Sequence, residues 1–175
     1  MEDVFQKLIL MIRAYYPVLY LHSYEYYRTK QKIKGIVELL RREGKKVNYY
    51  QWDCVYGLVQ ILPDKTEKRI ERMQNPLEVL AYILNSKKSG EKNIFVLDDI
   101  NNHIDRDEVK LMFRKIAEAT NNNTHAIILS SIYRLPAELE KYITVLQIPL
   151  PKRNELGEVL DIVAKQSKVE LKTNL

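Results

Sequence analysis

Apolar positions along the chain follow two spacings, and each spacing predicts its own kind of element. Apolar residues recur every three or four positions in four stretches, which predicts amphipathic helices over 2–15, 24–43, 75–85 and 105–120. Short continuous apolar runs predict strands buried on both faces, at 18–21, 47–52, 93–98, 125–130 and 144–148. The residues from 53 to 74 are more polar and irregular, and they predict a connection or a small hairpin.

The order of these elements predicts the fold class. Helices separate the five predicted strands, and this alternation is typical of a mostly parallel sheet with helices on both faces. The predicted α/β core covers residues 1–150. A last helix is predicted at 154–166, beginning at an asparagine N-cap.

Composition indicates one folded domain. The 175 residues are 46% hydrophobic and 29% charged, which suits a single domain with a sizeable core. No apolar run approaches the roughly 18 residues needed to cross a bilayer, and the acidic start lacks the basic region of a secretion signal. The single cysteine, Cys54, excludes an internal disulfide framework and a multi-cysteine zinc site. We therefore predict a cytoplasmic location and no membrane partner.

The formal net charge of +5 resides in the first fifty residues. Four cations recur there at helical spacing and are predicted to share one helix face; they are Lys30, Lys34, Arg41 and Lys45. Such a face could contact nucleic acid or an acidic partner, or could simply be solvated. Nucleic-acid binding is only weakly indicated, because no aromatic platform is interleaved on that face.

Two acids at the end of a buried strand are the strongest chemical signal. Asp98 and Asp99 follow the apolar run 94–97. An ATPase holds magnesium with one such carboxylate and polarises water with a neighbour, which assigns Asp98 to the metal and Asp99 to the water. Ser130 ends the next strand, where related ATPases place a side chain that senses the terminal phosphate. Acids and serines at strand ends also cap helices and form turns, so both interpretations stay open.

Four motifs together resemble a known family. "YYPVLYLHSYEYYR", "NPLEVLAYIL", "IFVLDDINNHI" and "LPAELEKYITVLQIPLPKRNEL" occur in this order over nearly the whole chain. They are similar to the degenerate amino-terminal domain of the uncharacterised AAA-type P-loop ATPases of cyanobacteria and plastids. The resemblance implies a three-layer, mostly parallel five-stranded sheet of P-loop NTPase (AAA-like) type, with a decayed phosphate loop and an incomplete helical lid. Together with the alternation of strands and helices, the resemblance predicts that strand 94–98 lies at the centre of the sheet and that strand 18–21 lies beside strand 126–130.

The segment after the first strand departs from the phosphate-binding pattern. A working loop is written G-x-x-x-x-G-K-S/T, and residues 22–29 give the best register. Arg28 falls at the lysine and Thr29 at the magnesium-binding hydroxyl, but His22 and Tyr27 replace both glycines. Glycine lets backbone amides turn toward phosphate without a side chain in the way. A structural turn is therefore favoured over ordinary ATP binding, and Ser23 is available to cap the following helix.

The favoured hypothesis is a non-catalytic ATPase-like domain that assembles with or regulates an active AAA-type ATPase domain and needs no cofactor itself. The resemblance implies that such a domain follows, with residues 151–175 as the start of a lid or linker; oligomers are also open. The alternative is an ATP-binding or ATP-hydrolysing enzyme with an unusual phosphate loop. In it, Arg28 and Thr29 hold ATP, Asp98 binds magnesium, and Asp99 and Ser130 take part in catalysis. Nucleic-acid binding through the basic helix is the weaker third hypothesis.

Overall fold

A computed structural model describes residues 4–70, 73–86, 91–119 and 123–150. The strands are β1 (Val18–His22), β2 (Val47–Asp53), β3 (Gly57–Ile61), β4 (Glu67–Ile70), β5 (Lys92–Asp98), β6 (Thr124–Ser130) and β7 (Thr144–Gln147). The helices are α1 (Val4–Arg13), α2 (Tyr26–Arg42), α3 (Pro76–Ser86) and α4 (Asp107–Glu118). Two short 3-10 turns, Ile100–His103 and Ala137–Leu139, follow β5 and precede β7.

The described strands form one sheet with the predicted parallel core. Its order is β4-β3-β2-β5-β6-β1-β7, and every neighbouring pair from β2 to β7 runs parallel. The acid-ended strand β5 lies at the centre, and β1 pairs with β6. The predicted arrangement of five parallel strands is therefore confirmed.

The described sheet has two strands more than the five predicted. β3 and β4 extend the β2 edge as antiparallel neighbours. In the turn between β2 and β3, the Asp53 carboxylate accepts hydrogen bonds from the amides of Val55 and Tyr56 at 2.8 and 2.7 Å. Gly57 follows this turn and has a φ of +77°. The side chains of β4 are polar and mostly exposed. Of the two alternatives predicted for residues 53–74, the small hairpin is the one that forms, as β3 and β4. The strand count was too low because these residues lack the continuous apolar run of a central strand.

Helices on both faces of the sheet give three layers. Side chains alternate along β5, so Ile94 and Val96 join one apolar cluster, and Phe95 and Leu97 join the other. The first cluster includes α1 and α2 through Leu8, Ile12, Ile33, Val37 and Leu40, and the second includes α3 and α4 through Val79, Leu80, Ile83, Val109 and Phe113. Burial on both faces explains the continuous apolar runs of the central strands.

The predicted helices agree with the described ones to within two residues at each end. Gly44 follows α2 with φ +81°, a left-handed conformation that is common for glycine after a helix C-terminus. None of the described helices has both the length and the apolar character needed to cross a membrane. The predicted helix 154–166 and the lid lie outside the described residues, and the domain boundary at 150 stays a prediction.

The parallel strands place three chain segments at one edge of the sheet. His22 of β1 is in register with Ser130 of β6, and Leu129 of β6 with Asp98 of β5. Because the carboxyl ends of parallel strands share an edge, the residues that follow β1, β5 and β6 lie together. The first turn of α2 begins at this edge, directly after β1.

Candidate functional site at the carboxyl end of the sheet

Asp98 is the last residue of β5, and Asp99 turns the chain out of the sheet. Asp99 has a left-handed φ of +52°, a conformation that aspartate adopts more readily than most residues other than glycine. Its backbone amide donates to the Leu129 carbonyl oxygen at 2.9 Å, which ties this turn to β6. The two neighbouring carboxylates have different partners.

Asp98 is paired with a lysine of α2. The Lys30 ammonium donates to Asp98 Oδ2, and the two side chains are 23% and 16% exposed. Burial raises the pKa of the Asp98 carboxyl; the Lys30 ammonium opposes the rise, and Asp53 and Asp99 add to it. Among the described residues, Asp98 Oδ1 is buried and accepts no hydrogen bond. The charged form of Asp98 therefore depends on Lys30.

Asp99 is held by two hydroxyl groups. Tyr26 and Ser130 both donate to Asp99 Oδ1, at 2.5 and 2.7 Å. The Tyr26 oxygen also accepts a hydrogen bond from the Ser131 amide at 2.9 Å. Burial and, after it, the bond to Asp99 raise the pKa of Tyr26, which keeps this hydroxyl a neutral donor. The network joins the first turn of α2 to the ends of β5 and β6.

The segment after β1 is a short turn, because β1 ends at His22 and α2 begins at Tyr26. The Ser23 hydroxyl lies 2.8 Å from the Thr29 hydroxyl and accepts from the Glu25 amide at 3.1 Å. Thr29 is buried, and its amide donates to the Glu25 carbonyl oxygen at 3.0 Å. Ser23 does not cap α2 as predicted: Glu25 is the residue at the N-cap, and it makes no side-chain capping bond. Ser23 closes the turn instead.

Arg28, which falls at the lysine position of the phosphate-loop pattern, contacts both this turn and the segment after β7. Its Nη1 donates to Glu25 Oε2 at 3.0 Å and to the Pro149 carbonyl oxygen at 3.1 Å. The guanidinium thereby joins the start of α2 to the segment after β7.

These contacts decide how the site fits magnesium and ATP. The enzyme hypothesis needs the Thr29 hydroxyl and the Asp98 carboxylate as magnesium ligands. The Thr29 hydroxyl is buried against Ser23, and the Lys30 ammonium lies on Asp98. In this arrangement the residues do not fit a magnesium–phosphate group. Within the part of the chain that the structure describes, no group of three or more His, Cys, Asp and Glu side chains could hold a metal ion.

The structure brings the predicted residues Asp98, Asp99, Ser130 and Thr29 to one edge. Sequence reasoning missed what Tyr26 and Lys30 do there. They lie one helical turn apart, so they share a face of α2, and Tyr26 contacts Asp99 while Lys30 contacts Asp98. This four-residue spacing, on the helix that follows the first strand, was the available signal.

Three of the four cations of the predicted basic face have partners within the domain. Besides the Lys30–Asp98 pair, the Arg41 guanidinium donates twice to the Val47 carbonyl oxygen, at 3.0 and 2.9 Å. Lys45 Nζ lies 3.7 Å from a Glu43 carboxylate oxygen. The carboxylates of Asp98 and Glu43 offset the charges of Lys30 and Lys45, whereas Arg41 keeps its charge because a carbonyl oxygen is neutral. The prediction that Lys45 shares the helix face is wrong, because α2 ends at Arg42. Nucleic-acid binding stays a prediction.

A family comparison identifies the class of protein. Residues 4–148 match the model of the SpoVK-like AAA ATPase N-terminal domain. Because the match covers most of the chain, the chain belongs to this family. The resemblance recognised in the four sequence motifs is confirmed.

Curated relatives match over a minor part of their own length. The uncharacterised AAA domain-containing protein ycf46 of Guillardia theta is 28% identical over 153 residues, covering 86% of this chain and 28% of the relative. The ycf46 protein of Pyropia yezoensis is 25% identical over 171 residues, covering 97% of this chain and 33% of the relative. This chain thus spans a third or less of the length of both relatives.

A solved structure shares the fold. The ORC2 protein of Aeropyrum pernix, determined in ADPNP-ADP complexes, superposes with a TM-score of 0.56 at 12% identity, covering 93% of this chain and 50% of that chain. Together with the family match, this likeness confirms the predicted AAA-like α/β fold.

Proposed function

We propose that this chain is a non-catalytic AAA-type domain that assembles with or regulates an active AAA-type ATPase domain. The observation that carries the proposal is the Lys30–Asp98 ion pair, because a cation of the domain itself lies on the acid that the enzyme hypothesis assigns to magnesium. The family description and the names of the longer relatives supply the partner class, an AAA ATPase.

Electrostatics favour the internal cation over a metal ion at Asp98. A magnesium ion bound there would displace the Lys30 ammonium or be repelled by it at short range. The existing pair neutralises both charges at a position that is mostly shielded from water. Asp99 is satisfied by Tyr26 and Ser130. Both carboxylates are thus engaged by side chains of the domain.

The turn after β1 supports the same function. Backbone amides that surround a phosphate need glycine neighbours, and residues 22–29 contain none. The amide of Thr29 is used inside α2. The domain therefore has the strand, turn and helix of an ATPase core as a scaffold without the glycines that let backbone amides surround a phosphate.

Titration of the purified chain with ATP, with and without magnesium, tests the non-catalytic part of the proposal. We expect no saturable binding below millimolar ATP and no hydrolysis above the buffer rate. Asp98→Ala and Arg28→Ala should leave both measurements unchanged. Micromolar, magnesium-dependent binding that either substitution abolishes would contradict the proposal and establish the enzyme.

The regulatory part is tested in a longer protein of this family. ATP hydrolysis is measured for the complete protein and for a version that lacks the residues equivalent to 4–148. We expect removal to change the rate or the oligomeric state. Lys30→Met/Asp98→Asn in the complete protein is the matched control, because it removes the acid that the enzyme hypothesis assigns to magnesium without leaving an unpaired charge, and it should keep the full rate. Equal hydrolysis and assembly with and without the domain would refute regulation.

The ATP-binding enzyme stays the alternative because one observation favours it. Asp98 Oδ1 is a buried acceptor without a hydrogen-bond donor among the described residues, a state that costs about 1–3 kcal/mol and that a ligand could relieve. Under this alternative, Lys30→Gln would free Asp98 and strengthen magnesium-dependent ATP binding.

The cytoplasmic location stays a prediction.

A further inference from the structure

The turn after β1 and the loop after β6 expose a cluster of large side chains, here called the tyrosine ledge. Its members are Tyr24, Ile132 and Tyr133, which are 64%, 59% and 53% exposed, and it is built around His22. The His22 ring centroid lies 5.3 Å from that of Tyr24 and 6.3 Å from that of Tyr133. Contiguous exposed apolar side chains of this size are typical of a contact surface.

The backbone beneath the tyrosine ledge is fixed by hydrogen bonds. The Tyr20 hydroxyl donates to the Ile132 carbonyl oxygen at 2.6 Å and accepts from the Arg134 amide at 3.3 Å. Asn101 Nδ2 donates to the same Ile132 oxygen at 2.9 Å. Tyr20 also packs against Tyr133, with ring centroids 5.6 Å apart. A surface held in this way loses little conformational entropy when it binds, so its side chains are prepared for a partner.

The chemistry of the ledge fits a protein partner. Tyrosine supplies rigid area with one polar end, and it is enriched among the residues that dominate binding energy at protein interfaces. Ile132 adds an aliphatic side chain that suits an apolar pocket and offers no flat face to a nucleobase.

The path of the backbone after β7 indicates which partner contacts the ledge. The Ile148 amide donates to the His22 carbonyl oxygen at 2.9 Å, and Arg28 binds the Pro149 carbonyl oxygen at 3.1 Å. The backbone after β7 therefore runs beside the ledge. The matched part is 28% of the Guillardia theta relative and 33% of the Pyropia yezoensis relative, so most of each relative is additional chain. A module connected at this edge is held near the ledge at high effective concentration.

We infer that the tyrosine ledge is the surface on which the AAA-type ATPase module of the same longer protein docks. The inference rests on the proposed function, because it identifies the surface through which the non-catalytic domain contacts its active partner. The docked module covers the sheet edge next to the Lys30–Asp98 pair, so the scaffold of the former nucleotide site is reused as an interface.

Amide hydrogen exchange, compared between the 175-residue chain and the longer protein, tests the inference. We expect amides of residues 23–27 and 131–134 to exchange at least tenfold more slowly in the longer protein. Tyr24→Ala, Tyr133→Ala and Ile132→Glu in the longer protein should each return these amides toward the rates of the short chain. All three side chains are exposed, and thermal unfolding followed by circular dichroism verifies that each variant folds.

Tyr56→Ala is the matched control. Tyr56 is 63% exposed, like the ledge tyrosines, but lies in the turn between β2 and β3, on the far side of β5 and β6. It should leave the protection of the ledge within twofold of the unchanged protein. An equal loss of protection in Tyr56→Ala would overturn the assignment to the ledge.

Other outcomes separate this inference from the proposed function. If a different surface of residues 4–148 gains protection in the longer protein, the inference about the ledge is wrong, but the proposed function as a non-catalytic partner domain is kept. If no surface gains protection and removal of the domain leaves hydrolysis unchanged, both fail. Protection that appears in the short chain at high concentration identifies a second copy as the occupant. Protection that needs added single-stranded oligonucleotide identifies a nucleic acid. Both results overturn the inference.

Discussion

A lysine that is at least partly shielded from water has different partners at the two ends of the sheet. At the carboxyl end, Lys30 of α2 is paired with the carboxylate of Asp98. At the amino end, Lys92 of β5 donates to His125 Nε2 at 3.1 Å and lies over the Tyr15 ring, 4.9 Å from its centroid. His125 Nδ1 lies 2.7 Å from the carbonyl oxygen of Tyr16, and because a carbonyl only accepts, Nδ1 carries the proton and Nε2 accepts from Lys92.

The two ends differ in whether the lysine is paired with an acid or with neutral acceptors. The amino end uses neutral acceptors to attach the end of α1 to β5 and β6, and this solution needs no opposite charge. The carboxyl end has two acids at the place where the parallel strands open a crevice, and side chains of α2 and β6 contact both of them. Under the proposed function, these charges mark a site at which side chains of the domain take the place of a ligand.

The largest effect is expected from removing the cation at the carboxyl end. Lys30→Met leaves the mostly buried Asp98 carboxylate without its partner. We expect a loss of about 2–4 kcal/mol in the free energy of unfolding, measured with urea, somewhat below the loss for a fully buried pair. The double variant Lys30→Met/Asp98→Asn should recover most of it. Additive losses in the double variant would show that the ion pair is not the cause.

A smaller loss is expected from the hydroxyl that holds Asp99. Tyr26→Phe removes the bond to Asp99 and leaves the Ser131 amide without its acceptor. We expect a loss of about 1–2 kcal/mol in the same unfolding measurement. Tyr27→Phe is the matched control, because Tyr27 is 77% exposed on the same helical turn, and its change should stay within about 0.5 kcal/mol. Equal effects of the two substitutions would refute the network.

The neutral pair in the turn after β1 should matter less than the charged pair. Ser23→Ala leaves the buried Thr29 hydroxyl without its partner at 2.8 Å, and we expect a loss of about 1 kcal/mol. Ser23→Ala/Thr29→Val removes both hydroxyls and should be less harmful than the sum of the two single changes, in a double-mutant cycle followed by thermal unfolding. If the losses of the two single variants simply add in the double variant, the two hydroxyls do not stabilise each other.

The smallest effect is a pH dependence at the amino end. Burial lowers the pKa of the Lys92 ammonium, and the charge of Lys45 lowers it further. The unfolded chain therefore binds more protons than the folded one between this lowered pKa and about 10.4, the ordinary value for lysine, so Lys92 makes stability rise with pH in that window. Lys92→Met should reduce the slope of unfolding free energy against pH, by at most about 1.4 kcal/mol per pH unit.

Two comparisons isolate this slope. Burial also raises the pKa of Tyr20 and Tyr49, so stability falls above about pH 10 as the unfolded tyrosines ionise; this fall is common to the variant and the unchanged protein. Lys45→Gln removes the second cause of the low Lys92 pKa and should give a slope between the two. An unchanged slope in Lys92→Met would show that Lys92 does not titrate differently on folding.

The central sheet and the acids could be predicted from the sequence because local patterns carry them. The runs 94–97 and 126–129 are apolar at every position, as burial on both faces requires. Asp98 and Asp99 stand out because two acids end such a run. β4 was predicted only as part of a possible hairpin because three of its four residues are exposed and polar, and backbone hydrogen bonds to β3 place it in the sheet.

The sequence by itself determined the order of elements, the central strand and the presence of acids at its end, because each depends on residues that are neighbours in the chain. Only the tertiary structure decided what those acids contact. Lys30 and Tyr26 are 68 and 73 residues away from their partners Asp98 and Asp99, and they reach them because α2 packs against the sheet with one particular face. That rotation of the helix is set by the whole buried cluster of Ile33, Val37 and Leu40 against the sheet, and such a collective property has no signature at any single position.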